Sequence, residues 1–374
     1  MDHPSPHLYR QAGLAAGAEK AVLDRALEQM ARNEVCNASP IVSLKHLAHL
    51  TGAPYLYLRD IVSRAVDPYV DIITPKRSGG RRRISAPEPG LMDVQRVILK
   101  RALSRIPQHP SSFAYRQGMS IVECARRHLG AKWLVKLDLH DFFGSISERR
   151  VYPVFRGGGY SSLMSLELTR LCTRTFFSET RKFGQTRYTT IPSYAVNTIG
   201  YLPQGGPASG ALANAVATSM DYALAELAQE WSLVYTRYSD DLVFSAGQGF
   251  NRTKAARFVG AATRIVGAQG FTLHEKKTRV VPPGARHIVL GLLVDGDVVR
   301  LVPEFRRRIQ VHIRGVDKFG LRPHATHRGF RSLFSFVSHV DGCLAFAMSV
   351  EPEWARETSN TWRQILDARG FPVA

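Results

Sequence analysis

The protein has 374 residues and a formal net charge of +19, with 44% hydrophobic and 22% charged residues, a composition that excludes a wholly disordered chain. No run of about 18 uninterrupted apolar residues occurs, the N-terminus lacks the layout of a signal peptide, and the four cysteines are widely spaced. We therefore expect a cytoplasmic protein without a membrane span, a zinc ribbon or a disulfide framework, and the basic excess favours nucleic acid as a partner over a merely basic surface.

Helices and one hairpin are predicted in the first third of the chain. Apolar residues at four-residue intervals predict one helix from Gln11 to Asn33, and Ser43 is a good N-cap for a second helix that ends before Thr51-Gly52. A strand from Tyr69 to Thr74 and a returning strand from Arg81 to Ser85 flank a Ser-Gly-Gly turn and predict a hairpin.

The middle of the chain combines a buried strand with a long helix. Trp133 to Leu139 is a short apolar run typical of a buried strand, and Ala208 to Trp231 has the apolar face of a long helix. The tail from Pro303 onward has helical periodicity again and is rich in Arg and Lys.

Two further hairpins are predicted between the long helix and the basic tail. Leu233 to Ser245 predicts two strands around a tight turn at Ser239-Asp240, and Ile288 to Leu301 predicts a hairpin that turns at Asp295-Gly296. Strands, a helix and then hairpins indicate an α+β fold with an antiparallel sheet.

Two adjacent carboxylates stand at the tip of the first of these hairpins, in the string Tyr238-Ser239-Asp240-Asp241. Like charges side by side cost free energy unless a cation neutralises them, so a divalent metal is the favoured explanation. The alternative interpretation is a solvated turn, because Asp favours turns.

A third carboxylate, Asp138, ends the strand predicted from Trp133. An Asp at a strand end is placed to project into a cleft beside the hairpin tip, and three Asp from two strands can hold two Mg²⁺ about 3.5–4 Å apart. Such a pair of ions activates an attacking hydroxyl and stabilises the leaving oxygen in phosphoryl transfer. Asp141 is a candidate fourth ligand, although an N-cap role is the favoured interpretation of that residue.

Three motifs resemble motifs A, B and C of reverse transcriptases in order and spacing: Asp138 with Phe143 five residues on, Leu202 to Ser209, and Tyr238 to Asp241. The resemblance implies a right-hand polymerase fold, an α+β fold with fingers, a palm built from an antiparallel sheet plus helices, and a helical thumb. It implies an N-terminal helical extension over residues 1–40, fingers over 41–132, a palm over 133–302 with an insertion around 161–200, and a thumb over 303–374.

The resemblance also implies nucleotide-binding residues. Lys76 and Arg82, on either side of the glycine turn, match cations that clamp the incoming triphosphate, and the alternative is a solvated basic hairpin. Gln204 matches a residue near the nascent base pair, and Gly205 permits close approach of the backbone to a nucleotide. Phe143 matches the steric gate, a ring beneath the sugar that disfavours a 2′-hydroxyl, and the alternative is a core aromatic.

Further positions follow from the same resemblance. Lys277 matches the motif D lysine that protonates or stabilises the leaving pyrophosphate, and Gly291 lies in the segment that resembles the primer grip. Salt-sensitive phosphate contacts that hold a duplex are expected from cations on or near one helix of the tail: Arg306, Arg307, Arg308, Arg314 and Lys318.

Two short elements are most similar to bacterial retron reverse transcriptases. Cys124 to His128 resembles their Asn-Ala-x-x-His element with Cys in place of Asn, and Val289-Leu290-Gly291 resembles their Val-Thr-Gly with Leu in place of Thr. RNA recognition is one interpretation of His128, and a histidine on a helix surface is the other. The two stay open.

A retron-type assignment implies an RNA-directed DNA polymerase that uses Mg²⁺ and dNTPs. It implies that a cognate structured non-coding RNA serves as template and primer, and that the DNA product starts from a 2′-hydroxyl and stays linked to that RNA. It also implies a role in anti-phage defence with a separate effector protein, and no membrane partner. The alternatives are another defence-associated reverse transcriptase, protein-primed or untemplated, and a non-catalytic RNA-binding scaffold of the same fold.

Overall fold

The computed structural model describes residues 5–75, 79, 81–175 and 198–371, so the predicted site residue Lys76 lies outside the described residues. The chain divides into two compact units. The first comprises residues 1–117, 139–224 and 263–274, and the second comprises residues 118–138, 225–262 and 275–374. The proposed division into extension, fingers, palm and thumb stays a prediction.

The elements up to residue 175 are helices and strands. In chain order they are α1 (Pro6–Ala15), α2 (Lys20–Val35), α3 (Leu44–Thr51), α4 (Tyr55–Val62), β1 (Tyr69–Pro75), β2 (Arg81–Pro87), α5 (Pro89–Ile98) continued by a π-helical turn at Leu99–Leu103, α6 (Ile121–Arg126), β3 (Trp133–Asp138), α7 (Glu148–Gly157) and α8 (Ser162–Cys172).

The elements from residue 198 onward end in a run of helices. They are α9 (Ser209–Glu230), β4 (Val234–Tyr238), β5 (Asp241–Ala246), α10 (Arg252–Ala268), a 3-10 turn at Glu275–Lys277, β6 (Arg279–Val281), β7 (Ile288–Val289), β8 (Leu292–Leu293), β9 (Arg300–Leu301), α11 (Pro303–Phe319), α12 (Leu321–His327), α13 (Leu333–Val350) and α14 (Pro352–Ala368).

The N-terminal segment forms two helices where the periodicity predicted one. Gly17 lies between α1 and α2 with φ +78°, a left-handed conformation that ends a helix and that glycine adopts without strain. The apolar spacing continues across this break, which is why periodicity alone misses it. The predicted start of α3 is confirmed, because the Ser43 hydroxyl accepts a hydrogen bond from the His46 backbone N–H at 3.1 Å.

The second unit is organised around a four-stranded antiparallel sheet with strand order β4-β5-β3-β6. Beneath one face lies a core that joins residues of β3 and β5, such as Leu134 and Val243, to residues of β7–β9, such as Val289 and Leu301. The predicted α+β fold with an antiparallel sheet is confirmed, and the strands flanking Ser239-Asp240 form as expected.

The hairpin predicted to turn at Asp295-Gly296 turns elsewhere. Leu290 and Gly291 connect β7 to β8 with φ +50° and +82°, so the tight turn lies there and both of its central residues are left-handed, as a type I′ turn requires. Asp295 instead lies in the longer connection between β8 and β9, where its carboxylate accepts from the His287 ring Nδ1 at 2.9 Å.

The basic tail forms α11–α14, whose buried residues include Ile313, Phe336 and Trp362. Among the described residues, one helix, α13, is long and apolar enough to cross a membrane by length and composition. Five of its side chains are buried, and its Asp341 accepts a hydrogen bond from the Trp362 indole N–H at 2.9 Å.

Candidate active site

The two adjacent carboxylates stand on a two-residue turn between β4 and β5. Tyr238 pairs with Asp241 across the hairpin, so Ser239 and Asp240 form the turn. Ser239 has φ +59° while Asp240 does not have a positive φ, which is the pattern of a type II′ turn. The Arg237 guanidinium, itself buried, donates to the Ser239 carbonyl at 3.1 Å and holds the turn from behind.

The third carboxylate is brought to the same place by strand register. Asp138, the last residue of β3, is the direct cross-strand partner of Asp241, the first residue of β5. Directly opposite residues in an antiparallel pair project from the same face with Cβ atoms about 5 Å apart. The structure therefore brings Asp138, Asp240 and Asp241 together at one end of the sheet, as the sequence predicts.

The electrostatics of these carboxylates show the strain of grouping like charges. Burial raises the pKa of Asp241 to about 6, with further increases from the charges of Asp240 and Asp138 and partial relief from Lys136 and Lys277. Burial also raises the pKa of Asp240, and the Asp138 charge adds to that increase. Such perturbed carboxylates are a frequent property of functional sites.

Lys277 contacts this group of carboxylates directly. Its ammonium donates to both carboxylate oxygens of Asp138, at 2.8 and 2.9 Å. The Lys277 side chain is 47% exposed and the Asp138 side chain 12% exposed, so the ion pair lies at the edge of the buried site. Lys277 is the lysine that the resemblance to motif D singled out, and its role stays a prediction.

The donor set suits a hard divalent cation, because carboxylate oxygens are the ligands that Mg²⁺ prefers and a cation would relieve the raised pKa values of Asp240 and Asp241. In the part of the chain that the structure describes, no group of three or more His, Cys, Asp or Glu side chains has the geometry to hold a metal. In this structure the Asp138 carboxylate pairs with the Lys277 ammonium instead.

His128 is buried, which differs from both interpretations of it. The side chain is 1% exposed, and its Nδ1 and Nε2 lie 2.7 Å from the hydroxyls of Ser245 and Thr236. Burial lowers its pKa to about 4, so the ring is neutral. Its ring neither lies on a helix surface nor is exposed to RNA, because the core of the second unit encloses it.

Sequence reasoning also missed Lys136. This residue lies two positions before Asp138 on β3, and its charge lowers the pKa of Asp241. The alternation of a strand puts residues two apart on one face, so the spacing of Lys136 from Asp138 was the available signal.

In the first unit, the predicted motif B residues are fixed to β2. The Gln204 carbonyl accepts from the Ser85 backbone N–H at 2.7 Å. Gly205 follows with φ +134°, and a Cβ built there would lie 2.8 Å from the Ser85 carbonyl oxygen. Only glycine allows this close approach, so Gly205 lets the Gln204 loop lie against the strand.

The neighbouring aromatics Phe142 and Phe143 have different environments. Phe142 is buried, with its ring centroid 5.6 Å from that of Phe271, as a core residue would be. Phe143 is half-buried, and the edge of its ring meets Tyr115 at a centroid separation of 5.9 Å. Tyr115 in turn fills the space beside Gly210, where an added Cβ would lie 2.4 Å from the tyrosine Cγ.

The remaining predicted residues are on exposed elements. Arg82 is exposed on β2 opposite Thr74, and Gly291 lies in the β7–β8 turn. Arg306 is half-buried on α11, where it pairs with Glu351 and its guanidinium lies over the Trp354 ring. The other predicted cations of that helix are exposed: Arg307, Arg308, Arg314 and Lys318. The roles assigned to all of these residues stay predictions.

Comparison with known proteins adds an independent line of evidence. A family model described as reverse transcriptase (RNA-dependent DNA polymerase) matches residues 74–292. The chain is 35% identical over 287 residues to the retron Mx162 reverse transcriptase of Myxococcus xanthus, a match that covers 73% of this chain and 58% of that protein.

Two further relatives are similar over comparable lengths. The retron Mx65 reverse transcriptase of Myxococcus xanthus is 33% identical over 290 residues, covering 77% of this chain and 62% of that protein. The retron Ec86 reverse transcriptase of Escherichia coli is 29% identical over 283 residues, covering 75% and 76%. The matches thus span 58% and 62% of the two Myxococcus relatives.

Proposed function

Because the chain belongs to the reverse transcriptase (RNA-dependent DNA polymerase) family, we propose that it is an RNA-directed DNA polymerase of the retron type. The observation that carries the proposal is the register of Asp138 against Asp241 beside the Asp240 turn, with Lys277 at its edge. This arrangement joins three acids, which could hold divalent metal ions, and one cation, a combination suited to phosphoryl transfer to a hydroxyl.

In the proposed mechanism, Asp138, Asp240 and Asp241 would hold two Mg²⁺. When bound, the ions would supply activation of the primer hydroxyl and neutralisation of phosphate charge. Lys277, released from Asp138, would hold a proton at its Nζ and give it to the leaving pyrophosphate. Phe143 would exclude a 2′-hydroxyl on the incoming sugar.

Other residues would bind the substrates. Arg82, with Lys76, would bind the triphosphate, while Gln204 and Gly205 would lie along the nascent base pair. Exposed cations of α11 would hold the duplex by its phosphates, without reading its sequence. The net charge of +19 supports a nucleic-acid partner of this kind.

The finer proposal concerns the substrate. We propose that a cognate structured non-coding RNA serves as template and primer, that DNA starts from a 2′-hydroxyl in it, and that the RNA-linked DNA acts in anti-phage defence with a separate effector protein in the cytoplasm. Similarity to three retron reverse transcriptases supports this, and all four cysteines are free, as a reducing compartment requires.

The test is synthesis by the purified protein with its co-purifying RNA, dNTPs and Mg²⁺. We expect labelled DNA from the wild type and none from Asp240→Asn, which keeps the size of the side chain and removes its charge. Ribonuclease should release the DNA from a branched RNA. Release by protease instead would indicate a protein primer, and tight RNA binding without incorporation would indicate a non-catalytic scaffold.

A further inference from the structure

The buried ring of His128 bridges the two strands that carry the catalytic turn. Its Nε2 lies 2.7 Å from the Thr236 hydroxyl on β4, and its Nδ1 lies 2.7 Å from the Ser245 hydroxyl on β5. These two strands are the arms of the hairpin whose tip is Ser239-Asp240. A single imidazole therefore contacts both arms.

The bridge lies on the face of the sheet that carries the carboxylates. Val234 pairs with Ser245, Thr236 pairs with Val243, and Tyr238 pairs with Asp241, so all of these positions alternate onto one face. His128 therefore contacts this face at Thr236, two residues before Tyr238, and at Ser245, four residues after Asp241.

The directions of the hydrogen bonds are set by a fourth residue. The Cys124 thiol donates to the Thr236 hydroxyl oxygen at 3.4 Å, and burial raises the pKa of that thiol to about 11, so it keeps its proton. The Thr236 hydroxyl is then free to donate its hydrogen to His128 Nε2, which leaves Nδ1–H to donate to Ser245. The chain of donors is complete with a neutral histidine.

We propose that His128 is a positioning residue for polymerisation: by bonding Thr236 and Ser245 at once, it holds the two arms of the hairpin and thereby fixes the position of Asp240 and Asp241. The inference rests on the proposed function. The proposed role of His128 requires no contact with RNA. Cys124 belongs to the same hydrogen-bonded network, because its thiol also bonds Thr236.

The test compares single-turnover DNA synthesis by the full chain with its RNA across matched variants. His128→Phe keeps a ring of similar size and removes both hydrogen bonds, while Ser245→Ala removes only one. We expect His128→Phe to lower the rate constant of nucleotide addition by about 10- to 100-fold, because small displacements of catalytic groups have effects of that size. The dissociation constant for RNA, measured by filter binding, should change less than about twofold.

The reaction amplitude separates positioning from folding. A variant that merely folds poorly reduces the amplitude, which counts active molecules, and leaves the rate constant of those molecules unchanged. His109→Phe is the control, since His109 is also buried and its Nδ1 accepts from the Ser111 backbone N–H at 3.2 Å. We expect His109→Phe to leave the rate constant unchanged.

A double-mutant comparison sharpens the result. The fold-losses of His128→Phe and Ser245→Ala should not multiply in the double variant, because both remove the same hydrogen bond. If His128→Phe does not fold, the smaller Ser245→Ala change still must lower the rate constant.

The inference is overturned if the wild type synthesises DNA and neither variant changes its rate constant. It is also overturned if His128→Phe weakens RNA binding tenfold or more while bound complexes react at the wild-type rate. Absence of synthesis by the wild type would instead contradict the proposed function itself.

Discussion

Asp138 and Asp241 are direct cross-strand partners, and only Asp138 has a lysine on its carboxylate. The two acids are therefore electrostatically unequal: Lys277 compensates the charge of Asp138, whereas burial and neighbouring charges raise the pKa of Asp241 to about 6. Like charges opposite each other on adjacent strands destabilise a sheet.

Removing the charge of Asp241 should stabilise the metal-free protein. The folded-state pKa is above the unfolded value of about 3.9, so the contribution of Asp241 to the free energy of unfolding falls as pH rises from about 4 to about 6. Asp241→Asn lacks this loss. In EDTA, the free energy of unfolding of Asp241→Asn should exceed that of the wild type by up to about 3 kcal/mol above pH 6 and by little near pH 4. Urea unfolding measures this difference.

Asp138→Asn provides the control for that experiment. This substitution leaves Lys277 without its carboxylate partner, so the gain in the free energy of unfolding should be smaller than for Asp241→Asn, or become a loss. Equal stability of Asp241→Asn and wild type at pH 7.5 would contradict the prediction. Both variants should lose DNA synthesis.

Lys277→Ala should slow nucleotide addition by about 100-fold, as expected for loss of a general acid. The measurement is the rate constant of single-turnover synthesis. Lys276→Ala, a neighbour on the same 3-10 turn that is also exposed, is the matched control and should behave as wild type. The same loss in both variants would indicate a general effect of charge.

Phe143→Ala should raise the efficiency of ribonucleotide use relative to deoxyribonucleotide use, because it removes the ring proposed to exclude the 2′-hydroxyl. Gly210→Ala should also raise the relative efficiency of ribonucleotide use, but by less. Its methyl group would displace Tyr115, which packs on Phe143. The ratio of kcat/KM for matched ATP and dATP incorporation measures both. An unchanged ratio in Phe143→Ala would rule out this residue as the gate.

Two neighbouring arginines of α11, Arg306 and Arg307, should have different roles, the first in stability and the second in duplex binding. Arg306 pairs with Glu351 through its Nε at 2.7 Å, so Arg306→Ala should lower the melting temperature. Arg307 is exposed, so Arg307→Ala should leave the melting temperature unchanged and reduce the slope of log K against log salt for duplex binding by about 1. The reverse pattern would show that the two residues have been assigned the wrong roles.

Much of the fold was predictable where local chemistry decides it. The cap at Ser43 and the turn at Ser239-Asp240 have short-range signals, and the structure has both. The turn at Leu290-Gly291 was not predicted, because Asp-Gly has the better turn chemistry. In the structure, Leu290 is left-handed and its side chain packs on the core of the second unit.

The carboxylates were predicted from a strand end and a hairpin tip, and Lys277 from the resemblance to motif D; the register that brings Asp138 opposite Asp241 came from the structure. The environment of His128 was not predicted. Its partners Thr236 and Ser245 lie more than 100 residues away in the chain, and no periodic pattern links them to it.

The spacing of cations along α11 has a consequence for the first steps of synthesis. Arg307, Arg314 and Lys318 are exposed at intervals that share one helix face, and eleven residues of helix span about 16 Å. At about 3.4 Å per step, a duplex lying along that face would need about five base pairs to reach both ends of it. Shorter duplexes would contact fewer of these cations and would dissociate more often. The result would be a ladder of abortive fragments that ends once the duplex reaches both ends of this face.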